Sequence, residues 1–457
     1  MNATTVHRTI MLLEKALQMI GAKATSQLIE STGIMINRAM RASERSFHTP
    51  EHIFALANPD DPYSILAALF HDIVYFQVDR GFDPQVGQLV EPYIEINADQ
   101  VRICDKVKQD DRAFWGIASV FGFEPGMTLS PFAGLNEFLS ALVMALSLEG
   151  IVADPDLLIV AASIEMTIPF RAANKNGKTP AEQLYERIIA TNKQFQLGLK
   201  EQDCVNAVEK AVIFANSDVE NFAEEQVARF LDNTWKLIPE TNPALRTFGI
   251  FCITDYRTAL MKMSGFMDNL NTDSIFASFG KQPPADQLET LRSRSQRNIK
   301  IARKYLGLKL IAATILEALA KETGNDVPVA FFMGEAERNP EGLSLANHLP
   351  APESCQSETC QNDSKEADLF SLLAFGRSSE SEFDPKSSPL SLFIYCSISE
   401  DELADSLQKA RSMFSEEISR LDFLKSMPKE MITTIANAIA KVAFTRAKPL
   451  GDLVAKL

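Results

Sequence analysis

Histidine is scarce in this chain, with five in 457 residues, cysteine (6) is hardly commoner, and tryptophan (2) is rarer still. Each shortage excludes something. The six cysteines, Cys104, Cys204, Cys252, Cys355, Cys360 and Cys396, follow no repeating spacing, which excludes a disulfide-stapled miniprotein and predicts reduced thiols in a cytosol. Cys355 and Cys360 are the one close pair, and with only His348 near them in sequence they make a poor zinc ligand set. Apolar runs are short: the best candidate, 138–148, is stopped by Glu149 and then by Asp154 and Asp156, well below the roughly 18 residues a membrane span needs. Residues 1–23 mix Arg8, Glu14 and Lys15 into an apolar period, which reads as an amphipathic helix and not a secretory signal. Basic charge is also lacking. With 45 Lys and Arg against 60 Asp and Glu the net charge is −15, which excludes bulk electrostatic binding to nucleic acid or an anionic membrane. A soluble, cytoplasmic protein is expected.

What is present is an ordinary globular composition, 46% hydrophobic and 23% charged, on a chain longer than one typical domain. Apolar residues recur at helical spacing, as in Ile10, Leu13, Ala16, Leu17 and Ile20, or Ile65, Ala68, Leu69 and Ile73. Helix starts are frequent: Asn58-Pro59-Asp60-Asp61-Pro62, Asp154-Pro155, Thr179-Pro180-Ala181-Glu182 and Pro283-Pro284 before a long helix over about 286–321. Strands are hard to find, and the short apolar run 157–160 reads as buried helix. The pattern predicts an all-α fold. After Gly334 the composition turns to Glu, Asn, Pro, Ser and Gly with few large apolar residues. The expected organisation is a helical domain over 1–332, a flexible polar linker over 333–366 and a C-terminal helical region over 367–457, with helices near 401–424 and 429–447.

Of the five histidines, His48, His52 and His71 fall within 24 positions. His48 and His52 are four apart and share a helix face if Pro50 occupies a first turn. Nineteen positions after His52 comes Ala67-Ala68-Leu69-Phe70-His71-Asp72-Ile73-Val74-Tyr75, an apolar helix that suddenly presents a nitrogen and a carboxylate ligand side by side. Burying both without partners would cost several kcal/mol, and a divalent cation suits both.

A histidine, then an embedded His-Asp pair, then a distant aspartate resembles the HD superfamily of metal-dependent phosphohydrolases. Phe47-His48 followed by His52 is similar to the entry motif of its cyclic-nucleotide phosphodiesterases and of small HD proteins. The resemblance covers about 40–230 and implies an HD-type helical core, a divalent ion (Mn, Mg, Fe, Zn or Ni) and hydrolysis of a phosphate ester such as a nucleotide or cyclic nucleotide. It implies His48 as general acid and His52, His71 and Asp72 as ligands, Asp72 also being catalytic. The fourth ligand it calls for is best matched by Asp218 in Ala215-Asn216-Ser217-Asp218-Val219, although the same residue stands where a helix N-cap would be wanted. Glu165, a carboxylate in the apolar stretch 164–168, is the reserve ligand and, with Arg171, a candidate substrate contact. No histidine lies between Asp72 and His348, so the extra histidines of multi-metal HD centres are missing and one tightly held ion is favoured.

Three features fall outside that motif. The run Arg292, Arg294, Arg297, Lys300, Arg303, Lys304 and Lys309 reads as a solvated helix side, with a cationic wall for a phosphorylated substrate as the alternative. Trp235 and Tyr256 read as packing, with a base-stacking pocket as the alternative. The length beyond 235 motivates a competing reading, a regulatory or scaffold protein whose HD core binds a ligand, and in which a protein partner or a second copy engages the C-terminal region.

Overall fold

The computed structural model describes residues 3–97, 100–246, 250–334, 344–351, 364–379, 381 and 383–457. Among the described residues the fold is all-α apart from one small antiparallel sheet. The chain divides into two compact units, Met1–Asn221 with Asn271–Ser293, and Phe222–Leu270 with Arg294–Leu457. Among the described residues no helix is long and apolar enough to cross a membrane. Cys355, Cys360 and most of the segment 333–366 lie outside the described residues. Cys104, Cys204 and Cys252 are free thiols. Cys396, by contrast, is in a disulfide, which corrects the expectation of reduced thiols throughout; linear spacing carries no information on which distant cysteines meet.

The first unit contains α1 (Thr5–Met19), α2 (Ser26–Met40), α3 (Pro50–Leu56), α4 (Pro62–Phe70), α5 (Phe76–Asp79), α6 (Pro84–Val90), α7 (Arg112–Phe121), α8 (Leu135–Leu148), α9 (Asp154–Met166), α10 (Pro180–Phe195) and α11 (Glu201–Asp218). Between α6 and α8 run β1 (Ile94–Asn97), β2 (Gln100–Ile103) and β3 (Thr128–Leu129), with Ile94 opposite Ile103 and Val101 opposite Leu129. At two to four residues these strands are too short for a period to show in sequence. Helix α9 is buried on almost every side, from Leu157 to Met166, and packs against α4, α7, α8, α10 and α11. A helix apolar all round belongs at the centre of a core, and the run 157–160 is helix, as expected. The anticipated starts are built as read. Asp61 caps α4 by accepting from the Tyr63 amide at 3.0 Å, and Thr179 and Glu182 form a reciprocal capping box on α10.

The second unit holds α12 (Val227–Thr241), α13 (Ile253–Asn269), the part of the 39-residue α14 (Ala285–Thr323) from Arg294 onward, α15 (Val329–Met333), α16 (Ser364–Phe375), α17 (Pro389–Ser397), α18 (Glu400–Phe414), α19 (Arg420–Lys425), α20 (Lys429–Val442) and α21 (Ala447–Val454). The helix expected over 401–424 is interrupted, because Glu416 adopts a left-handed φ of 62°. At the core of this unit the Asp384 carboxylate accepts from Lys309 Nζ (2.7 Å), Tyr256 OH (2.6 Å), Trp235 Nε1 (2.7 Å) and Arg377 Nη1 (2.8 Å). Trp235 and Tyr256 are therefore packing residues with satisfied polar ends. The basic run on α14 is also largely committed. Arg297 donates to Glu225 O, Arg303 to Met267 O, and Lys309 is buried on Asp384.

Candidate functional site

Turn chemistry and core burial together deliver the embedded His-Asp pair. From Ile65 to Phe70 every residue of α4 is buried, so the chain leaving it is fixed, and His71 stays within reach of the last turn. Its Nδ1–H donates to the Ala68 carbonyl at 3.0 Å. In the neutral ring that bond keeps the proton on Nδ1 and points the Nε2 lone pair away from the helix. The next residues are held by α8: Ser140 Oγ accepts from the Val74 amide at 3.1 Å and Asn136 Oδ1 from the Phe76 amide at 3.0 Å.

Four side chains meet where Nε2 points. His71 Nε2 lies 2.9 Å from Asp72 Oδ2, 3.4 Å from His52 Nε2 and 3.6 Å from Asp218 Oδ1. His52 Nε2 lies 2.9 Å from Asp218 Oδ1 and 3.8 Å from Asp72 Oδ2. One ligand atom each from His52, His71 and Asp218 falls within 4.8 Å of the others, so these three could hold one ion, with Asp72 beside them. Asp218 is the last residue of α11, and its carboxylate faces His52 and His71.

The electrostatics follow from burial and proximity. Burial disfavours the charged ring of His71, but the neighbouring Asp72 and Asp218 carboxylates outweigh it and hold its pKa well above the usual histidine range. Burial likewise pushes Asp72 and Asp218 up, and the histidines around them overcome it. His71, His48 and His52 hold Asp72 below the ordinary carboxylate range, and hydrogen bonds from His52 and His71 do the same for Asp218.

His48 lies just outside α3, which begins at Pro50 behind the cap residue Thr49, so the two histidines do not share a helix face in the way the spacing suggested. Its ring is nonetheless 6.0 Å from that of His52 and 4.7 Å, edge to face, from that of Tyr75. It is half-buried at the rim of the cluster. Glu165 does not join the four. It is fully buried on α9 and bound by Arg171 Nη1 at 2.6 Å and by Arg187 Nη2, an ion-paired group rather than a ligand of the cluster.

Two residues that the sequence did not single out belong to this region. Arg45, whose side chain is wholly buried, donates to the Asp72 carbonyl at 2.7 Å and grips Asp79 through Nε (2.9 Å) and Nη2 (2.5 Å). It thereby fixes the backbone that presents Asp72. Glu137 stands in the first turn of α8, beside Asn136, and its Oε2 is buried without a hydrogen bond. Burial, with the fields of Asp72 and Asp218 added, raises its pKa to about 7 against the opposing pull of Arg171. The helix start that places it depends on Gly134, at φ 95°, where a Cβ would meet Ile168 Cδ1 at 2.6 Å. Comparison of the chain with protein-family models, with curated proteins and with solved structures returned no match.

Proposed function

We propose that this protein is a metal-dependent phosphohydrolase that cleaves a phosphate ester, the reaction its resemblance to the HD superfamily implies. The observation that carries the reading is the convergence of His52, His71, Asp72 and Asp218, drawn from three separate stretches of chain, onto one point. Two imidazoles and two carboxylates suit a divalent ion, and the Ala68 carbonyl already selects the His71 tautomer a ligand needs. A divalent ion held there supplies an acidified water and a polarised phosphoryl oxygen.

The remaining chemistry belongs to the protein. His48, at the rim, protonates the departing ester oxygen. Asp72 orients the attacking water by accepting one of its protons in a hydrogen bond. Glu137, whose buried Oε2 has no hydrogen-bond partner, is suited to take that water's other proton. Arg45 keeps Asp72 in register from behind.

The test is turnover of p-nitrophenyl phosphate and a panel of nucleotides and cyclic nucleotides by manganese-loaded protein. His48→Ala is expected to retain metal and lose activity by about 100-fold or more, and Asp72→Ala to lose both. Hydrolysis untouched by His48→Ala would remove the assigned acid and leave the metal centre. Metal-loaded wild-type protein inert on the whole panel would leave the ligand-binding or scaffold reading in its place.

A further inference from the structure

A cavity of about 80 Å³ lies within the second unit, against α14, α15 and the start of α17. None of the four residues of the His-Asp cluster lines it, and nothing in the reaction described above uses it. Most of its described wall is apolar, with Phe251, Leu316, Val329 and Leu390 around the small side chains of Ala312 and Ala313. A cavity of about 150 Å³ holds benzene, so the apolar part of this one takes a chain of about three or four carbons. Where α17 begins the wall is polar, lined by Lys309, Asp384, Ser388 and Ser391, which are 6%, 3%, 4% and 3% exposed.

These polar groups are unequally committed. The Asp384 carboxylate accepts from Lys309 Nζ and Tyr256 OH on Oδ1 and from Trp235 Nε1 and Arg377 Nη1 on Oδ2, which fills its acceptor capacity. Lys309 Nζ also donates to Ser388 Oγ at 3.3 Å, so one of its ammonium hydrogens is left over. Arg377 Nη1 donates to Tyr305 OH at 3.4 Å, and that hydroxyl lies 3.0 Å from Ser388 Oγ. Lysine and arginine only donate, so all these groups are satisfied when Tyr305 gives its proton to Ser388 Oγ, which leaves the hydrogen of Ser388 without an acceptor. Ser391, one helical turn beyond Ser388, makes no hydrogen bond among the described residues although it is buried. An ammonium and two hydroxyls are thus left to donate into the cavity, and the one carboxylate among its described lining residues is saturated.

Such a site suits a ligand that brings acceptors at one end and a short apolar chain at the other. Lys309 favours a negatively charged one. Its only carboxylate partner is shared with Arg377, and the further carboxylate of this network, Asp232, stands 3.9 Å from Arg377 Nε and does not line the cavity. We propose that this cavity binds a short-chain monocarboxylate, whose oxygens accept from Lys309, Ser388 and Ser391 while its chain packs on the apolar wall. The inference stands apart from the phosphohydrolase reading and does not rest on it.

The experiment is a ligand-observed NMR titration of the full-length protein with butyrate, with butyramide, which has the same shape without the charge, and with acetate, which lacks the chain. Two variants locate the binding. Ser391→Ala removes one donor, and Ala330→Phe fills the cavity from a half-buried position on α15. Thermal melting of each is recorded alongside. Butyrate is expected to bind wild-type protein saturably, with a Kd of about 1 mM or tighter, and at least about tenfold more tightly than butyramide or acetate. Ser391→Ala should weaken butyrate about tenfold, and Ala330→Phe should abolish its binding. Absence of saturable butyrate binding, equal affinity for butyramide, or butyrate binding unchanged in both variants would overturn the assignment; the last result would place the carboxylate elsewhere on the protein, a metal at the His-Asp cluster included.

Discussion

Replacing Glu137 with glutamine should change how stability depends on pH, in a direction the structure dictates. In the metal-free protein the carboxyl of Glu137 has a pKa of about 7 against an ordinary 4.5, with burial as the main cause. A group raised in this way is protonated in both folded and unfolded chains at low pH and then costs nothing. As pH rises past 4.5 the unfolded chain releases the proton while the folded one retains it, so stability is lost until the folded group also ionises near pH 7. At about 1.4 kcal/mol per pH unit the full effect is about 3 kcal/mol. Because Glu137 keeps part of its surface in solvent, about 2 kcal/mol is the better expectation. The assay is urea unfolding of wild type and Glu137→Gln side by side in chelator, at several pH values from about 4.5 to 8.5. The glutamine variant should gain on wild type through that interval and hold its lead above it. Because the comparison is between two otherwise identical chains, the titration of every other group cancels to first order. Curves that stay parallel would mean that Glu137 ionises normally, and the burial argument would be wrong. Added manganese should shrink the difference, since a cation at the neighbouring cluster favours the charged carboxylate.

Other expectations follow from named contacts. Arg45→Met removes the donor to the Asp72 carbonyl while keeping side-chain volume. Metal affinity, read by competition with a chromophoric chelator, should fall about 10- to 100-fold, and unchanged affinity would show that Arg45 only braces Asp79. Glu165→Leu leaves Arg171 and Arg187 facing each other without their shared carboxylate. It should cost about 3 kcal/mol or more in a melting experiment, and a neutral result would mean that solvent already screens the pair. Asp384→Ala strands Lys309, Arg377, Tyr256 and Trp235 in the second unit. A loss of about 3–5 kcal/mol is expected from unfolding measurements; a loss under 1 kcal/mol would contradict the role given to that carboxylate.

Much of this was legible in the sequence, and the reasons differ by residue. The helices α9 and α14 and the capped starts at Asp61 and Thr179 were readable because local turn chemistry and apolar period set them. His71-Asp72 stood out because a charged pair inside an apolar helix is expensive without a partner. Asp218 was only half legible, since a carboxylate after an apolar helix serves equally as ligand or cap until the fold places it. Glu137 was invisible for a similar reason: an acidic residue in a first helical turn is ordinarily explained by the helix dipole. The clue available was its place directly ahead of the apolar run that begins at Phe138. Arg45 gave no clue at all, because it sits in the polar stretch Ser43-Glu44-Arg45-Ser46 and is buried only by the tertiary fold.

The central claim is that His52, His71, Asp72 and Asp218 hold a divalent ion. The most direct test is elemental mass spectrometry of the protein purified without chelators or a histidine tag, beside Asp72→Ala of confirmed fold. The account predicts close to one transition-metal or magnesium ion per wild-type chain and its loss from the variant; wild-type protein that carries no metal and takes up none from added manganese, iron, zinc or magnesium would contradict it.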